Sequence, residues 1–224
     1  MSVFPSSHPL ILHKISQMRK AATGPKYLQQ LLDEVATFLC YEATLDLRLE
    51  QTSLQTRLGT QVGPKLKHKI GVVPVLRGGL GMVHAMTNMV SNAKVYHLGI
   101  YRDKQALLPV EYYNKLPKKL TVHTVFVLDP CPISGATAIA AIDILKSWGS
   151  NNLRIKFVCI GASEQAIDNI SKSHPDVPIH VGLIDRLHDD AGEPLPPILP
   201  GMGDIGDRLF GTEDIDDEDM EEIS

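Results

Sequence analysis

The 224-residue sequence is poor in cysteine and in aromatic residues, and it has no long apolar run. Its three cysteines (Cys40, Cys131 and Cys159) are odd in number and lack CxxC spacing, which argues against a disulfide framework and a zinc site. No stretch approaches the ~20 apolar residues of a membrane-spanning helix, and the N-terminus has no signal-peptide pattern. We therefore predict a cytoplasmic protein with reduced thiols, no membrane contact and no resident metal.

Basic residues are absent from the last twelve positions. Residues 213–224 carry eight acids, so the formal charge of −4 for the chain conceals a charge of +4 on residues 1–212, with 18 acids against 22 bases. A segment of such charge density favours a solvated, disordered tail. We predict a single domain over residues 1–212, a disordered acidic tail over residues 213–224, and no nucleic-acid partner.

Short apolar runs alternate with segments of helical spacing, which is typical of a doubly wound α/β fold. Strands of a buried, mainly parallel sheet are predicted at residues 70–76, 95–100, 125–128, 155–160 and 179–184. Helices are predicted at residues 28–39, 80–90, 137–148 and 164–173, and a hairpin or flap beside the sheet at residues 54–64. Ligands of such folds bind beyond the carboxyl ends of the strands.

The segment Val125-Phe-Val-Leu-Asp-Pro-Cys-Pro-Ile-Ser-Gly-Ala-Thr137 combines a buried strand, an acid at its carboxyl end and a small loop before a helix. N–H groups at the helix N-terminus converge on a phosphate, the hydroxyls of Ser134 and Thr137 add donors, and Gly135 permits close backbone approach. Asp129 is placed to hold ribose hydroxyls or a hydrated metal. The alternative is an ordinary strand–helix turn in which Ser134 only caps the helix.

Two arginines follow other predicted strands. Arg77 comes after the run that ends at Leu76 and precedes two glycines, and Arg102 follows Tyr101 at the end of the next strand. A single arginine at such a position is more often a solvated charge. Because both arginines are expected at the sheet edge that carries the phosphate loop, their guanidinium forks suit a second phosphate group.

A third glycine-rich segment is Pro200-Gly-Met-Gly-Asp-Ile-Gly-Asp-Arg208. Its glycines allow main-chain amides and carbonyls to approach a flat polar ring. The alternative is a tight surface turn in which Asp207 pairs with Arg208. The GxGxxG spacing has no following βαβ unit, so it does not predict a dinucleotide-binding fold.

In this order, the motifs resemble those of the uracil phosphoribosyltransferases, within the type I phosphoribosyltransferase family. The similar segments span residues 8–212 and include Tyr41-Glu-Ala-Thr-Leu-Asp-Leu47, Pro109-Val-Glu-Tyr-Tyr-Asn-Lys-Leu-Pro117 and Phe210-Gly-Thr212. The resemblance implies a type I phosphoribosyltransferase-like sheet with a flap or hood and an N-terminal helical segment. It also implies a glycosyltransferase of pyrimidine salvage that converts uracil and 5-phosphoribosyl 1-diphosphate, the donor, to UMP and diphosphate.

The resemblance further implies that Mg²⁺ is carried by the diphosphate, that GTP can activate the enzyme, and that the chain forms a homodimer or larger homo-oligomer. The catalytic residues would be Arg77, Arg102, Asp129 and Asp204. The donor would be bound by these four residues and by Pro130, Cys131, Pro132, Ile133, Ser134, Gly135, Ala136 and Thr137. Uracil would be bound by Ile198, Gly203, Asp204 and Ile205.

Three residues depart from the family pattern. Ala136 replaces a phosphate-loop glycine where we expect positive φ, Ile205 replaces an alanine in the uracil loop, and Pro197 replaces a stacking tyrosine. They leave two alternatives open: a nucleotide-binding or regulatory protein that keeps the fold without catalysis, and a transferase for another base. Cys131 also has two interpretations, a thiol whose pKa is lowered by the helix N-terminus and the arginines, or a small buried filler.

Overall fold

The computed structural model describes residues 2–102, 109–149, 153–186 and 202–212, with Arg102 described in its backbone alone. Two residues that the sequence singles out for the base site, Pro197 and Ile198, lie outside the described residues, as does the acidic tail. In the described segments, no helix has both the length and the apolar character needed to span a membrane.

Within the described ranges, ten strands form two sheets. Their bounds are β1 Val3–Pro5, β2 Leu49–Thr56, β3 Gly59–Leu66, β4 Ile70–Leu76, β5 Lys94–Val95, β6 Leu98–Arg102, β7 Pro109–Asn114, β8 Thr124–Leu128, β9 Arg154–Ser163 and β10 Ile179–Asp185. The main sheet has the order β1-β10-β9-β8-β4-β6-β7, with β5 also pairing with β4. Every pair in it is parallel except β6 with β7.

Helices cover both faces of the main sheet. Their bounds are α1 Pro9–Met18, α2 Pro25–Thr44, α3 Val83–Met89, α4 Ala136–Gly149, α5 Glu164–Ser173 and α6 Ile205–Phe210, with a 3₁₀ turn at Gly78–Met82. Buried residues of α1, α2, α3 and α6 pack on one face, and those of α4 and α5 on the other. The sheet is therefore buried between two helical layers.

Successive residues of the central strands belong to opposite sides of this core. In β8, Phe126 and Leu128 pack on the side of α2, while Val125 and Val127 pack on the side of α4. Side chains alternate across a strand, so a strand buried on both faces must be apolar at every position. This requirement explains the continuous apolar runs in the sequence.

The hairpin of β2 and β3 forms a separate antiparallel sheet, as the sequence predicts for residues 54–64. Nearly all of its residues are exposed, including the apolar side chains of Leu58 at 98% and Val62 at 73%. Its strands pair with each other and with no strand of the main sheet. The hairpin is therefore an exposed segment beside the domain core, which we call the β2–β3 arm.

The predicted mainly parallel sheet and its flanking helices are confirmed, with two differences in detail. Residues 95–100 contain the end of β5 and the start of β6, since pairing with β4 is interrupted at Tyr96 and His97. The helix predicted at residues 80–90 begins as the 3₁₀ turn. Three of the five residues in that turn are glycine, which has poor α-helix propensity.

Candidate active site

A cavity of about 760 Å³ opens where β4, β6 and β8 end. Parallel strands bring their carboxyl ends to one edge of the sheet, so the residues that follow these strands meet there. The predicted site residues that line the cavity are Arg77, Asp129, Cys131, Pro132, Ile133, Ser134, Gly135, Thr137, Asp204 and Ile205. The structure therefore brings three distant segments of the sequence into one site.

The loop between β8 and α4 is fixed by hydrogen bonds to β9 and α5. The carbonyl of Pro130 accepts from Ile160 N at 3.0 Å and Gly161 N at 3.1 Å, and the Ser134 carbonyl accepts from Asn169 Nδ2 at 3.0 Å. Within the described residues, the N–H groups of Ser134 and Gly135 have no protein acceptor. These donors precede the 14-residue α4, whose N-terminus favours an anion.

Positive φ, which the sequence predicts at Ala136, is instead found at the preceding residue, Gly135. Its φ is +77°, and an added Cβ would lie 3.0 Å from the Ala166 carbonyl oxygen. Ala136 is instead the first residue of α4, where helical φ is negative. The prediction of backbone strain at Ala136 was therefore wrong. Ala136 does not occupy a position at which positive φ would require glycine.

Ser134 has the capping contact that was the alternative interpretation of this segment, because its Oγ accepts from Ala136 N at 3.4 Å. The contact does not remove Ser134 from the site, since it also lines the cavity. Pro130 and Ala136 are the two residues of the predicted donor loop that do not belong to the cavity lining.

Asp129 lies directly after β8 at the cavity wall. Burial raises the pKa of its carboxyl to about 6, and a hydrogen bond from the N–H of Cys131 partly opposes that rise. The main-chain N–H of Asp129 donates to the Val158 carbonyl at 3.2 Å, which ties the residue to β9. The carboxyl group thus faces the site from a fixed backbone.

Cys131 is a partly buried filler rather than an activated thiol. Burial first, and then the nearby Asp129 carboxylate, raise its pKa well above the usual range of a thiol. Its side chain packs against the core on the side of α2. The interpretation in which this pKa is lowered was wrong, because desolvation by burial is the largest effect on it.

Arg77 follows β4 through a cis Leu76–Arg77 peptide and lines the cavity. Its Nη2 donates to Asp207 Oδ1 at 2.6 Å, and its Nη1 donates to Thr212 Oγ1 at 3.0 Å. The backbone of Arg102 ends β6, which is parallel to β4 and adjacent to it. The two arginines therefore follow neighbouring strands at one sheet edge, as predicted.

The glycine-rich C-terminal segment contributes Asp204 and Ile205 to the cavity. Asp204 caps α6, since its Oδ1 accepts from Gly206 N at 2.8 Å and Asp207 N at 3.0 Å. Ile205 is 7% exposed and belongs to the core on the side of α2. The Ile205 side chain thus packs in the core and also forms part of the cavity wall. Gly203 does not line the cavity.

The alternative pairing of Asp207 with Arg208 is wrong. Asp207 pairs with Arg77, whereas Arg208 Nη1 donates to the Met202 carbonyl at 3.0 Å and its Nη2 to the Lys20 carbonyl at 3.3 Å. The buried Arg208 fastens α6 to the domain. Asp207 is consequently turned toward the site.

Tyr112 lines the cavity although sequence reasoning assigned it no binding role. The register of β6 and β7 pairs Gly99 with Tyr113 and Ile100 with Glu111, so Tyr112 lies in a β-bulge. Its ring lies over Gly99, where an added Cβ would be 2.6 Å from Tyr112 Cζ. The Tyr-Tyr pair in the Pro109–Asn114 motif is the sequence signal that could have indicated an aromatic residue at the cavity. The bulge that turns Tyr112 toward the cavity depends on the pairing of β6 with β7, which the sequence does not show.

No group of three or more His, Cys, Asp or Glu side chains in the described segments is arranged to hold a metal ion. A cation at this site would thus depend on donors other than a protein cage. Asp129 offers one carboxylate at the cavity, and Mg²⁺ at phosphate substrates commonly uses one or two carboxylates together with substrate oxygens. The residues present fit that kind of magnesium binding.

Known proteins resemble the chain over nearly its whole length. A sequence profile described as uracil phosphoribosyltransferase matches residues 5–212. A uracil phosphoribosyltransferase of Roseiflexus castenholzii is 46% identical over 210 residues, covering 94% of this chain and 98% of that protein. Another, of Geobacillus kaustophilus, is 42% identical over 211 residues, covering 94% and 98%.

Solved structures also resemble the chain. The AQ2163 protein of Aquifex aeolicus superposes with a TM-score of 0.82 and 35% identity, covering 93% of this chain and 97% of that one. An adenine phosphoribosyltransferase of Leishmania donovani reaches a TM-score of 0.51 at 12% identity, covering 88% and 91%, and shows the shared type I fold alone. The profile match includes every segment of the cavity. The chain belongs to the uracil phosphoribosyltransferase family.

Proposed function

We propose that the chain transfers the phosphoribosyl group of 5-phosphoribosyl 1-diphosphate to uracil and releases UMP and diphosphate. The observation that carries this proposal is the single cavity that joins Arg77, Asp129, the loop before α4 and the start of α6. It is lined by the guanidinium of Arg77, by the carboxyl group of Asp129 and by the N–H and hydroxyl donors of the loop before α4. Relatives at 42–46% identity bear the name of this activity.

Each predicted residue receives a role in this proposal. Arg77 and Arg102 bind the diphosphate, and Asp129 accepts from the ribose hydroxyls. The segment from Ser134 to Thr137 binds the 5′-phosphate through its N–H groups and hydroxyls, and the rest of the loop from Pro130 contributes to the donor site. Ile198, Gly203, Asp204 and Ile205 bind uracil.

Departure of diphosphate leaves positive charge on the sugar carbon that the uracil nitrogen attacks. Stabilising the leaving anion and aligning the two reactants therefore supply the catalysis, and no side chain has to act as nucleophile. Magnesium carried by the donor would neutralise phosphate charge. Asp129 would hold that ion together with the substrate oxygens.

We extend the proposal to a homodimer or larger homo-oligomer. The exposed β2–β3 arm supports it, because a second copy would cover apolar side chains such as Leu58 and Val62. We also propose activation by GTP, which the family resemblance implies, and a cytoplasmic location and a single folded domain over residues 1–212, which the sequence pattern favours. Light scattering of the intact chain tests the oligomer, and the assay below with and without GTP tests activation.

The direct test is to incubate the protein with uracil, the donor and Mg²⁺ and to identify the product by mass. We expect UMP and diphosphate in equal amounts. A parallel panel of pyrimidine and purine bases tests the choice of base. Transfer to another base in preference to uracil would overturn the uracil assignment. Donor binding by calorimetry without any turnover would overturn the enzymatic proposal.

A further inference from the structure

Arg77 is held from the side of α6 by two residues that have no assigned role. Its Nη2 donates to Asp207 Oδ1 at 2.6 Å and its Nη1 to Thr212 Oγ1 at 3.0 Å. The Thr212 hydroxyl in turn donates to the same Asp207 oxygen at 2.7 Å. The three side chains close a ring of hydrogen bonds, which we call the arginine clasp.

The local backbone of α6 explains why the clasp forms. Asp204 caps the helix and receives the N–H of Asp207, which fixes the first turn. Gly211 ends the helix at φ +64°, a left-handed conformation that favours glycine. The chain then turns back, so that Thr212 N donates to the Asp207 carbonyl at 3.1 Å. This return brings the Thr212 side chain beside Asp207 and Arg77.

The clasp leaves part of the guanidinium available to a ligand. It uses one hydrogen on each of Nη1 and Nη2, whereas Arg77 Nε has no acceptor within the described part of the chain. A guanidinium has five N–H donors in a rigid fork, so three remain for a phosphate group. The ion pair therefore does not have to break before Arg77 binds an anion.

Without the clasp, Arg77 would be a long, flexible side chain at the cavity mouth. Its side chain is 49% exposed and Asp207 is 30% exposed, so packing alone does not fix its direction. Holding a side chain in its binding geometry before the ligand arrives lowers the entropy cost of binding.

We propose that Asp207 and Thr212 are positioning residues that hold Arg77 in the orientation in which it binds the diphosphate of the donor. This inference rests on the proposed role of Arg77 in donor binding. The opposite relationship, in which Asp207 competes with the diphosphate for Arg77, makes the opposite prediction for the donor KM.

The test compares steady-state kinetics of Asp207→Asn, Thr212→Val and Thr212→Ser in the full chain. We expect Asp207→Asn and Thr212→Val to raise the donor KM about three- to tenfold, because each removes a charge-assisted contact at a partly exposed site. The uracil KM should stay within about twofold. Thr212→Ser keeps the hydroxyl and should recover most of the loss, which a purely structural role of the methyl group would not allow.

A double-mutant cycle tests whether both residues act through Arg77. Arg77→Ala should raise the donor KM, and adding Asp207→Asn to it should change that value no further. Asp176→Asn is the matched control. It breaks the Lys146–Asp176 pair, which has the same 2.6 Å separation but involves no residue of the cavity lining, so it should leave the kinetics unchanged.

The outcomes separate this inference from the proposed function. If Arg77→Ala raises the donor KM while Asp207→Asn and Thr212→Val leave it unchanged or lower it, the positioning role is wrong and the proposed function stands. Additive effects in the double mutant would also overturn the positioning role. If Arg77→Ala itself leaves the donor KM unchanged, the proposed role of Arg77 is wrong.

Discussion

Single residues at the site have properties that depend on their surroundings more than on their type. Asp129 has a raised pKa because burial disfavours its ionised form, and Cys131 has a raised pKa for the same reason. Of these two residues, only Asp129 has a carboxyl group that can bind a ribose hydroxyl or a hydrated cation. Its protonation state should therefore control the use of the donor.

We expect the kcat/KM for the donor to fall as the pH drops below about 6. The folded pKa of Asp129 lies above its ordinary value of 3.8, so the neutral form predominates below about 6. A neutral carboxyl is a poorer acceptor and magnesium ligand. The pH profile of kcat/KM measures the free enzyme and should show this ionisation.

The control for the Asp129 profile is Asp168→Asn, which removes an exposed carboxylate on α5 and should leave the profile intact. Asp129→Asn should lower the activity and abolish the ionisation near pH 6. A profile that keeps that ionisation in Asp129→Asn would contradict the assignment.

The phosphate loop offers a matched pair of stability tests. Gly135→Ala should destabilise the fold by about 1–3 kcal/mol, because it introduces positive φ on an alanine and a contact of 3.0 Å with the Ala166 carbonyl. Ala136→Gly should cost only about 0.5–1 kcal/mol, the usual cost of glycine in a helix. Urea denaturation measures both changes. A gain of stability in Ala136→Gly would mean that the strained position is residue 136.

Sequence reasoning about residues succeeded where the strand order decides placement. Arg77, Asp129 and Ser134 meet because each follows the carboxyl end of a strand, and strands can be read from apolar runs. The Arg77–Asp207 contact could not be predicted, since 130 residues separate the partners. The raised pKa of Cys131 also needed coordinates, because it depends on burial depth.

Elements at the edge of the sheet determine which side chains enter the cavity. The bulge between β6 and β7 places Tyr112 over Gly99 and at the cavity. Bulges redirect a side chain and increase local twist, and they are common beside active sites. Because Gly99 has no Cβ, the Tyr112 ring can lie directly against its backbone.

Gly99→Ala should therefore displace Tyr112 and lower stability by about 1–3 kcal/mol, because the new Cβ would be 2.6 Å from Tyr112 Cζ and 2.8 Å from Tyr113 Cβ. Adding Tyr112→Ala should recover part of that loss. Gly24→Ala is the control, since its Cβ would meet nothing within 4 Å, and it should cost about 0.5 kcal/mol. Equal effects at both glycines in urea denaturation would contradict this account of the bulge.

Within the main sheet, whether a strand could be predicted depended on its burial. The strands β4, β8, β9 and β10 are buried on both faces and appear in the sequence as apolar runs. In contrast, β7 is exposed at five of its six residues, so its sequence has no strong apolar pattern. β1 has only three residues, which is too short for any periodicity.

At the scale of the whole molecule, charge is distributed unevenly along the sequence. Residues 1–212 carry +4 and contain the complete family match, while the following twelve residues carry eight acids. The last described residue before that segment is Thr212, whose hydroxyl accepts from Arg77. The acidic segment therefore begins next to the proposed diphosphate site.

Ending the chain at Thr212 changes the formal charge from −4 to +4. We expect this truncation to lower the donor KM about two- to fivefold near 0.02 M ionic strength, since the donor is a polyanion. The difference should vanish near 0.5 M salt, where the Debye length falls to about 4 Å. A full-length chain with Asn and Gln in place of the tail acids should behave like the truncated one. An unchanged KM at low salt would exclude an electrostatic influence of the tail.

The parallel pairing of β1 with β10 separates the two ends of the domain. Ser2 accepts from Ile179 N at the amino edge of the sheet, whereas Thr212 contacts Arg77 at the carboxyl edge, where the cavity opens. A purification tag or an immobilisation linker joined to the N-terminus would therefore leave the cavity mouth clear. One joined near residue 212 would instead begin beside Arg77 at that mouth.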